Sequence, residues 1–203
     1  MKKYNNISIK KLLLAAGSSK RYGNKNKLTE QFKGKYLIQH IRDTLLTVFD
    51  SSDLLIIVGH QSERIIDLIN NEDIKIINNK NYKNGIGTSI SVGVSHLDSS
   101  IQGVMIIPAD MPFISSEDLI KLEKKFIELN CQKVVLPKHE DTFGNPVILP
   151  KSYFGTLKNL KEDIGARSKI KEDDIFAVNC HIGTIFDIDT SDALAKANLM
   201  IKT

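Results

Sequence analysis

Three acidic side chains stand where a metal ion could be bound. Asp110 lies in the segment PADMP (residues 108–112), directly after an apolar run, and Asp187 and Asp189 lie in a later acidic segment. A carboxylate at the end of a buried strand faces the ligand side of an α/β sheet, and Mg²⁺ prefers such hard oxygen ligands. Alternation along a strand would put Asp187 and Asp189 on one face. The pattern predicts Asp110, Asp189 and Asp187 as ligands of Mg²⁺, with helix capping or backbone hydrogen bonding of these aspartates as the open alternative.

A loop of small and cationic residues follows the first apolar run and reads LAAGSSKRYGNKNKL over residues 14–28. Small side chains let the backbone approach a ligand, and successive N–H groups can hold phosphate oxygens. Arg21 offers a fork of donors, and Lys27 offers a mobile point charge. The loop matches neither the Walker pattern nor GxGxxG. The residue types of this loop favour a binding site for a triphosphate. The alternative is a solvated loop that only connects two elements.

The composition narrows the class of protein. The chain has 203 residues, 41% of them hydrophobic, and a net charge of +4, which predicts one domain over residues 1–203 that binds an anionic small molecule rather than nucleic acid. No apolar run approaches the roughly 20 residues of a membrane span. The start, MKKYNNISIKK, shows no secretory signal, and two distant cysteines favour a reducing environment, so a cytoplasmic location is expected.

Short apolar runs alternate with helical periodicity along the whole chain. Strands that are apolar throughout are buried on both faces, which is typical of a mostly parallel sheet in a doubly wound α/β fold. The predicted strands cover residues 7–16, 54–58, 74–77, 104–107, 133–136, 146–149, 175–178 and 184–188. The predicted helices cover residues 36–49, 62–70, 88–97, 115–130, 152–159, 166–171 and 191–201.

Six segments, in this order, resemble the motifs of the molybdenum cofactor nucleotidyltransferases, most closely the cytidylyltransferase branch. They read LAAGSSKRYG with a following Lys (14–27), GIGTSIS (85–91), ADMP (109–112), GNP (144–146), DIGAR (163–167) and DIDTSDAL (187–194). Each motif alone is weak, but six in register span nearly the whole chain. The resemblance implies a Rossmann-like, three-layer α/β nucleotidyltransferase fold with a mostly parallel, mixed central sheet.

The resemblance also implies a reaction and roles for residues. CMP would pass from CTP to the terminal phosphate of a molybdopterin-type cofactor, with Mg²⁺ as the metal and pyrophosphate as the second product. Arg21, Lys27 and Asp110 are expected in catalysis, and Asn145 and Arg167 are expected to bind the acceptor. The expected nucleotide-binding residues are Leu14, Ala15, Ala16, Gly17, Arg21, Lys27, Thr88, Ser89, Pro108 and Ala109. A molybdenum hydroxylase is a candidate recipient of the product.

Departures from the family pattern keep alternatives open. Three residues separate Gly23 from Lys27 where the family usually has two, which makes Lys25 a second candidate for the role of Lys27. Asn145 replaces a usual His. LAAG, where guanylyl-transferring relatives usually carry LAGG, favours CTP over GTP. The alternatives are a nucleotidyltransferase that uses GTP or another phosphorylated acceptor, and a non-catalytic carrier of the finished cofactor.

Overall fold

The computed structural model describes residues 7–19, 22, 25–69 and 73–199. This part of the chain contains ten strands and six α-helices. The strands are β1 (Ile9–Ala15), β2 (Gln31–Phe32), β3 (Lys35–Tyr36), β4 (Leu54–Val58), β5 (Lys75–Asn78), β6 (Gly103–Pro108), β7 (Val134–His139), β8 (Thr142–Phe143), β9 (Val147–Pro150) and β10 (Ile175–Asn179). The helices are α1 (Leu37–Val48), α2 (Ser62–Ile69), α3 (Ile86–Ser95), α4 (Ser116–Glu128), α5 (Phe154–Lys158) and α6 (Ser191–Leu199).

Eight of the strands form one mixed sheet in the order β10-β7-β9-β6-β1-β4-β5, with β8 paired to β7. The pairs β1–β4, β1–β6, β4–β5 and β7–β10 are parallel, whereas β9 runs antiparallel to both β6 and β7. The mostly parallel, mixed sheet is thus confirmed. The short strands β2 and β3 form a separate antiparallel hairpin that the apolar pattern did not reveal.

Both faces of the sheet are covered by helices, which gives three layers. Leu13 on β1 belongs to the buried cluster that contains the apolar faces of α1, α2 and α4. The neighbouring Leu12 belongs to a second buried cluster with residues of α3 and α5. Strand alternation therefore supplies both cores from one apolar run. Gly93 lets α3 approach the sheet, because a Cβ there would lie 2.3 Å from Leu12 Cδ1.

The carboxyl ends of the central parallel strands meet at one edge of the sheet. In the register of the pairs, Ala15 is opposite Val58, Leu14 is opposite Pro108, and Val58 is opposite Asn78. The loops that follow β1, β4, β5 and β6 therefore lie side by side. This is the edge at which open α/β sheets bind ligands.

Most predicted elements are found with shifted ends, and two differ in kind from the prediction. The predicted strand at 184–188 is absent: a 3₁₀ turn covers Ile182–Thr184, and the following residues are irregular. The predicted helix at 166–171 is a 3₁₀ turn over Ala166–Lys169. Ser115 caps α4, since its side chain accepts a hydrogen bond from Asp118 N. None of the helices in the described ranges is long and apolar enough to cross a membrane.

Candidate active site

Lys27 joins two of the predicted metal ligands. Its Nζ lies 2.6 Å from Asp110 Oδ2 and 2.6 Å from Asp189 Oδ1. Asp110 follows β6 at the carboxyl edge of the sheet, Lys27 begins a 3₁₀ turn after the first loop, and Asp189 precedes α6. The fold thus brings three distant segments to one point. All three side chains are largely withdrawn from solvent, which strengthens their electrostatic interactions.

The carboxylates fit a divalent cation. One oxygen from each of Asp110, Asp187 and Asp189 lies within 4.8 Å of the others. Asp110 Oδ1 is buried and, among the described residues, has no hydrogen-bond partner. A buried charged oxygen without a partner is costly, and a bound cation would remove that cost. The donor set is entirely carboxylate oxygen, which suits Mg²⁺ or Mn²⁺.

Burial and neighbouring charges shift the pKa values of Lys27 and Asp187. Burial by itself would lower the pKa of Lys27, but the charges and hydrogen bonds of Asp110 and Asp189 outweigh burial and raise it. Burial raises the pKa of Asp187, and the like charges of Asp189 and Asp110 raise it further. Lys27 therefore stays cationic, and a further positive charge beside Asp187 would lower the pKa of that carboxyl back toward its ordinary value.

The first loop is tied down so that Lys27 points into the cluster. Asn26 is fully buried; its Nδ2 donates to His60 O at 3.2 Å, and its Oδ1 accepts from Leu28 N at 3.1 Å. Lys27 N donates to Ser19 Oγ at 3.2 Å. Ser19 and Asn26 could not be recognised from the sequence, because short polar residues in a loop have no periodicity that marks them as structural.

The structure distinguishes the two candidate lysines of this loop. The Lys25 side chain is 73% exposed, and its Nζ lies 3.9 Å from Glu30 Oε1. The Lys27 side chain is 14% exposed and touches both carboxylates. Lys27, not Lys25, therefore belongs to the cluster. Arg21 falls outside the described residues, so its role stays a prediction.

Asp187 and Asp189 come together for a different reason from the one predicted. They do not alternate along a strand; they flank Ile188, whose side chain is fully buried and whose N–H donates to Asp110 O at 2.9 Å. Anchoring Ile188 inward turns both neighbouring carboxylates to the outer side. The same backbone bond joins this segment to the turn that carries Asp110.

An open cleft of about 510 Å³ borders the cluster. The predicted residues that line it are Leu14, Ala16, Gly17, Lys27, Ser89, Pro108, Ala109, Asp110 and Asp189. The lining also contains residues for which the sequence predicted no role, namely Ser18, Ser19, Leu28, Tyr82, Lys83, Asn84, Gly85, Ile86 and Asp163. The cleft therefore joins the first loop, the start of α3 and the turn after β6.

Two predicted nucleotide-binding residues are placed away from the lining. The Ala15 side chain is fully buried in the core. Thr88 Oγ1 donates to Gly85 O at 2.8 Å, so its proton is used within the turn that starts α3. Of the Thr88–Ser89 pair, only Ser89 lines the cleft.

The two predicted acceptor-binding residues both lie next to Phe143, the last residue of β8. The Arg167 guanidinium lies 5.0 Å from the centre of the Phe143 ring, and its Nη1 donates to Phe143 O at 3.3 Å. Asn145 is two residues after Phe143 in the chain, and its N–H donates to Thr184 O at 2.8 Å. Asn145 and Arg167 thus share one surface region, beside the segment that leads to the carboxylates.

The comparisons with known proteins agree with this geometry. Residues 11–176 match the MobA-like NTP transferase domain. The chain is 30% identical over 165 residues to the bifunctional protein GlmU of Thermosipho africanus, which covers 81% of this chain and 35% of that relative. It is 24% identical to the molybdenum cofactor cytidylyltransferase of Escherichia coli, with 92% of this chain and 93% of that relative covered. It is 26% identical to a probable molybdenum cofactor guanylyltransferase of Natranaerobius thermophilus, with 94% and 95% covered.

A solved structure shows the same fold. The crystal structure of Rv0371C from Mycobacterium tuberculosis in complex with manganese is 18% identical, with a TM-score of 0.75 over 96% of this chain and 99% of that chain. The chain belongs to the MobA-like NTP transferase family, which is a family of nucleotidyltransferases. It spans about a third of the length of the GlmU relative and nearly the full length of the two molybdenum cofactor relatives.

Proposed function

We propose that the chain transfers CMP from CTP to the terminal phosphate of a molybdopterin-type cofactor and releases pyrophosphate. The observation that carries the proposal is the cluster of Lys27, Asp110 and Asp189 at the rim of an open cleft next to the small-residue loop. Such a cleft offers backbone donors and a cation to a triphosphate, and carboxylates to a divalent metal. The six motifs and the relative from Escherichia coli support the cytidylyl and molybdenum cofactor assignments.

Asp110, Asp189 and Asp187 are the residues that would hold the metal. Their shared proximity and the unpartnered Asp110 Oδ1 support this assignment, and the manganese complex of the Mycobacterium tuberculosis relative supports a divalent ion. When bound, a divalent ion supplies neutralisation of charge on the phosphate oxygens. We propose that the metal is Mg²⁺, that Asp110 and Asp189 are its ligands, and that Asp187 is the alternative to Asp189.

The chain's own groups position and neutralise the triphosphate. Ala15 ends β1, and the backbone of Ala16 and Gly17 continues from it along the cleft, where we propose that its N–H groups bind phosphate and base. Lys27, with Arg21 as proposed from the motif, neutralises the charge that grows on the leaving pyrophosphate. Ser89 is proposed to contact the base, because it lines the cleft. Positioning and charge neutralisation provide most of the rate in such transfers.

The acceptor would enter from the side of Asn145 and Arg167. We propose that Arg167 binds the pterin phosphate, whose terminal oxygen attacks the α-phosphorus in line while the bond to pyrophosphate breaks. A phosphate monoester is already ionised near neutral pH, so no side chain has to remove a proton. Delivery of the product to a molybdenum hydroxylase stays a prediction from the resemblance.

GTP is the second candidate for the nucleotide. Identity to the guanylyltransferase relative is 26%, against 24% to the cytidylyltransferase relative. The match to the bifunctional protein GlmU, which does not carry the name of a molybdenum cofactor enzyme, keeps another phosphorylated acceptor as the second candidate substrate. Both candidates use the same cluster and differ only in what the cleft and the Asn145 region recognise.

Pyrophosphate release across the four nucleoside triphosphates, with and without molybdopterin, tests the proposal. CTP turnover that depends on molybdopterin is the expected result. Turnover of GTP, or turnover with another phosphorylated acceptor alone, would transfer the assignment to the second candidates. Tight binding of finished cofactor without any pyrophosphate release would contradict catalysis and leave a carrier.

A further inference from the structure

A buried amide lies beneath the part of the cleft assigned to the base. Asn79 directly follows β5, and its side chain is 1% exposed. Its Nδ2 lies 2.9 Å from Thr88 Oγ1 and 2.9 Å from Ser89 Oγ, so one amide holds two neighbouring hydroxyls of α3. Asn79 N also donates to Val58 O at 2.8 Å, which fixes the residue to the sheet.

The orientation of this amide is determined by its other contact. Asn79 Oδ1 accepts a hydrogen bond from Asn81 N at 3.0 Å. A backbone N–H can only donate, so the atom facing it is the amide oxygen, and Nδ2 faces the two hydroxyls. Since Nδ2 can only donate, both hydroxyl oxygens act as acceptors toward Asn79.

This arrangement leaves the two hydroxyl protons in different positions. The Thr88 proton is used in the hydrogen bond to Gly85 O at 2.8 Å. The Ser89 proton has no acceptor among the described residues, and Ser89 lines the cleft. One lone pair of the Ser89 oxygen accepts from Asn79 Nδ2, which turns the hydroxyl so that its proton stays available to a ligand in the cleft.

We propose that Asn79 is a positioning residue, which turns the Ser89 hydroxyl into a hydrogen-bond donor for the nucleotide base. The base atom that faces Ser89 is then an acceptor, such as a ring carbonyl oxygen or an unprotonated ring nitrogen of cytosine. Asn79 never touches the nucleotide and acts through Ser89. The inference rests on the proposed function, because it takes the ligand of this cleft to be a nucleoside triphosphate.

Replacing the amide by its isosteric acid reverses the polarity of the contact. In Asn79→Asp one carboxylate oxygen keeps the bond to Asn81 N, while the other accepts a proton from Ser89 instead of donating to it. The serine then faces the base with a lone pair. The dissociation constant for CTP, measured by calorimetry on the full chain, is expected to rise about tenfold, the equivalent of one hydrogen bond. The kcat at saturating CTP is expected to change less than KM.

A double-mutant cycle separates positioning from a general structural role. Ser89→Ala alone should weaken CTP binding about tenfold. In the Ser89→Ala background, Asn79→Asp should change the dissociation constant by no more than about twofold, the usual error of additivity. Asn79→Ala serves as an uncharged second variant, in case the buried carboxylate prevents folding. It removes the donor that orients the Ser89 hydroxyl, so it should weaken CTP binding in the wild-type background and change it by no more than about twofold in the Ser89→Ala background.

Asn81→Asp is the matched control. It makes the same chemical change two residues away, on an exposed side chain of the same turn, and it should leave CTP affinity unchanged. CTP affinity equal to wild type in both Asn79 variants, or losses that add fully to those of Ser89→Ala, would overturn the positioning role. If the unaltered chain binds neither CTP nor GTP, the proposed function itself is contradicted and the inference with it.

Discussion

Lys27 Nζ lies 2.6 Å from Asp110 Oδ2, although 83 residues separate the two in the sequence. The contact joins the loop after β1 to the turn after β6, which are neighbouring strands of the sheet. It places a cation and a carboxylate of the acidic cluster at one end of a cleft, an arrangement that suits phosphoryl chemistry.

Lys27→Met should lower CTP turnover by about 10²-fold or more, because it removes a preorganised charge from the phosphate end of the cleft. Lys25→Met is the matched control, since Lys25 is an exposed lysine of the same loop. Pyrophosphate release gives kcat and KM for both variants. A larger loss for Lys25→Met than for Lys27→Met would show that the longer loop has shifted the functional lysine.

Mn²⁺ binding should follow the carboxylate cluster. Electron paramagnetic resonance of free Mn²⁺ should show affinity reduced roughly tenfold or more in Asp189→Asn, because loss of a ligand costs at least as much as loss of a supporting contact. Asp187→Asn should have a smaller effect. A chelator should abolish turnover, and Mg²⁺ or Mn²⁺ should restore it. Equal affinity in all variants would place the metal elsewhere.

Gly85→Ala should destabilise the start of α3. Gly85 has a φ of +99°, and a Cβ there would lie 2.3 Å from Glu162 C. The cost is expected to be about 1 kcal/mol or more in the free energy of unfolding, measured in urea, with weaker CTP binding because Gly85 lines the cleft.

Gly165→Ala is the control for that change, because it lies in the segment that follows Glu162. A Cβ there meets nothing within 4 Å, and the φ is −75°. It should be neutral or stabilise by up to about 1 kcal/mol, since alanine reduces the entropy of the unfolded chain. Equal losses in the two variants would contradict the close approach at Gly85.

Cys180 should resist alkylation in the folded protein. Burial, with the nearby Asp118 carboxylate, raises the pKa of its thiol from 9.0 to about 12. A raised pKa lowers the thiolate fraction, here by roughly a thousandfold at pH 8, and the thiolate is the reactive form. Mass spectrometry after iodoacetamide treatment at pH 8 should find Cys180 unmodified until a denaturant is added. Rapid labelling of the native chain would contradict both the partial burial of the Cys180 thiol and its raised pKa.

Residue type and strand position were enough to predict part of the site. Asp110 follows an apolar run that could only be a buried strand, and its placement at the ligand edge follows from the fold class. The motif predicted Lys27 and left Lys25 as a second candidate. Only the structure excludes Lys25 from the cluster, because the shape of the loop depends on the contacts of Asn26 and Ser19.

The remaining differences come from tertiary contacts. Asp187 and Asp189 lie close together as predicted, but the predicted strand that was to align them is absent, and the buried Ile188 between them anchors the segment instead. The direction of β9 could not be predicted, because a short apolar run reads the same in parallel and antiparallel pairs. Asn79 was missed because an asparagine after a strand usually signals a turn, and only packing shows that it is buried.

The most direct test of the central claim is pyrophosphate release by Asp110→Asn. The substitution keeps the shape of the side chain and removes the charge that faces Lys27. Asp98→Asn, on an exposed loop, is the control for the same chemical change. The account predicts a loss of about 10³-fold or more in kcat/KM for Asp110→Asn, with an intact fold by circular dichroism, and wild-type turnover for Asp98→Asn. Near-normal turnover of Asp110→Asn with Mg²⁺ would contradict it.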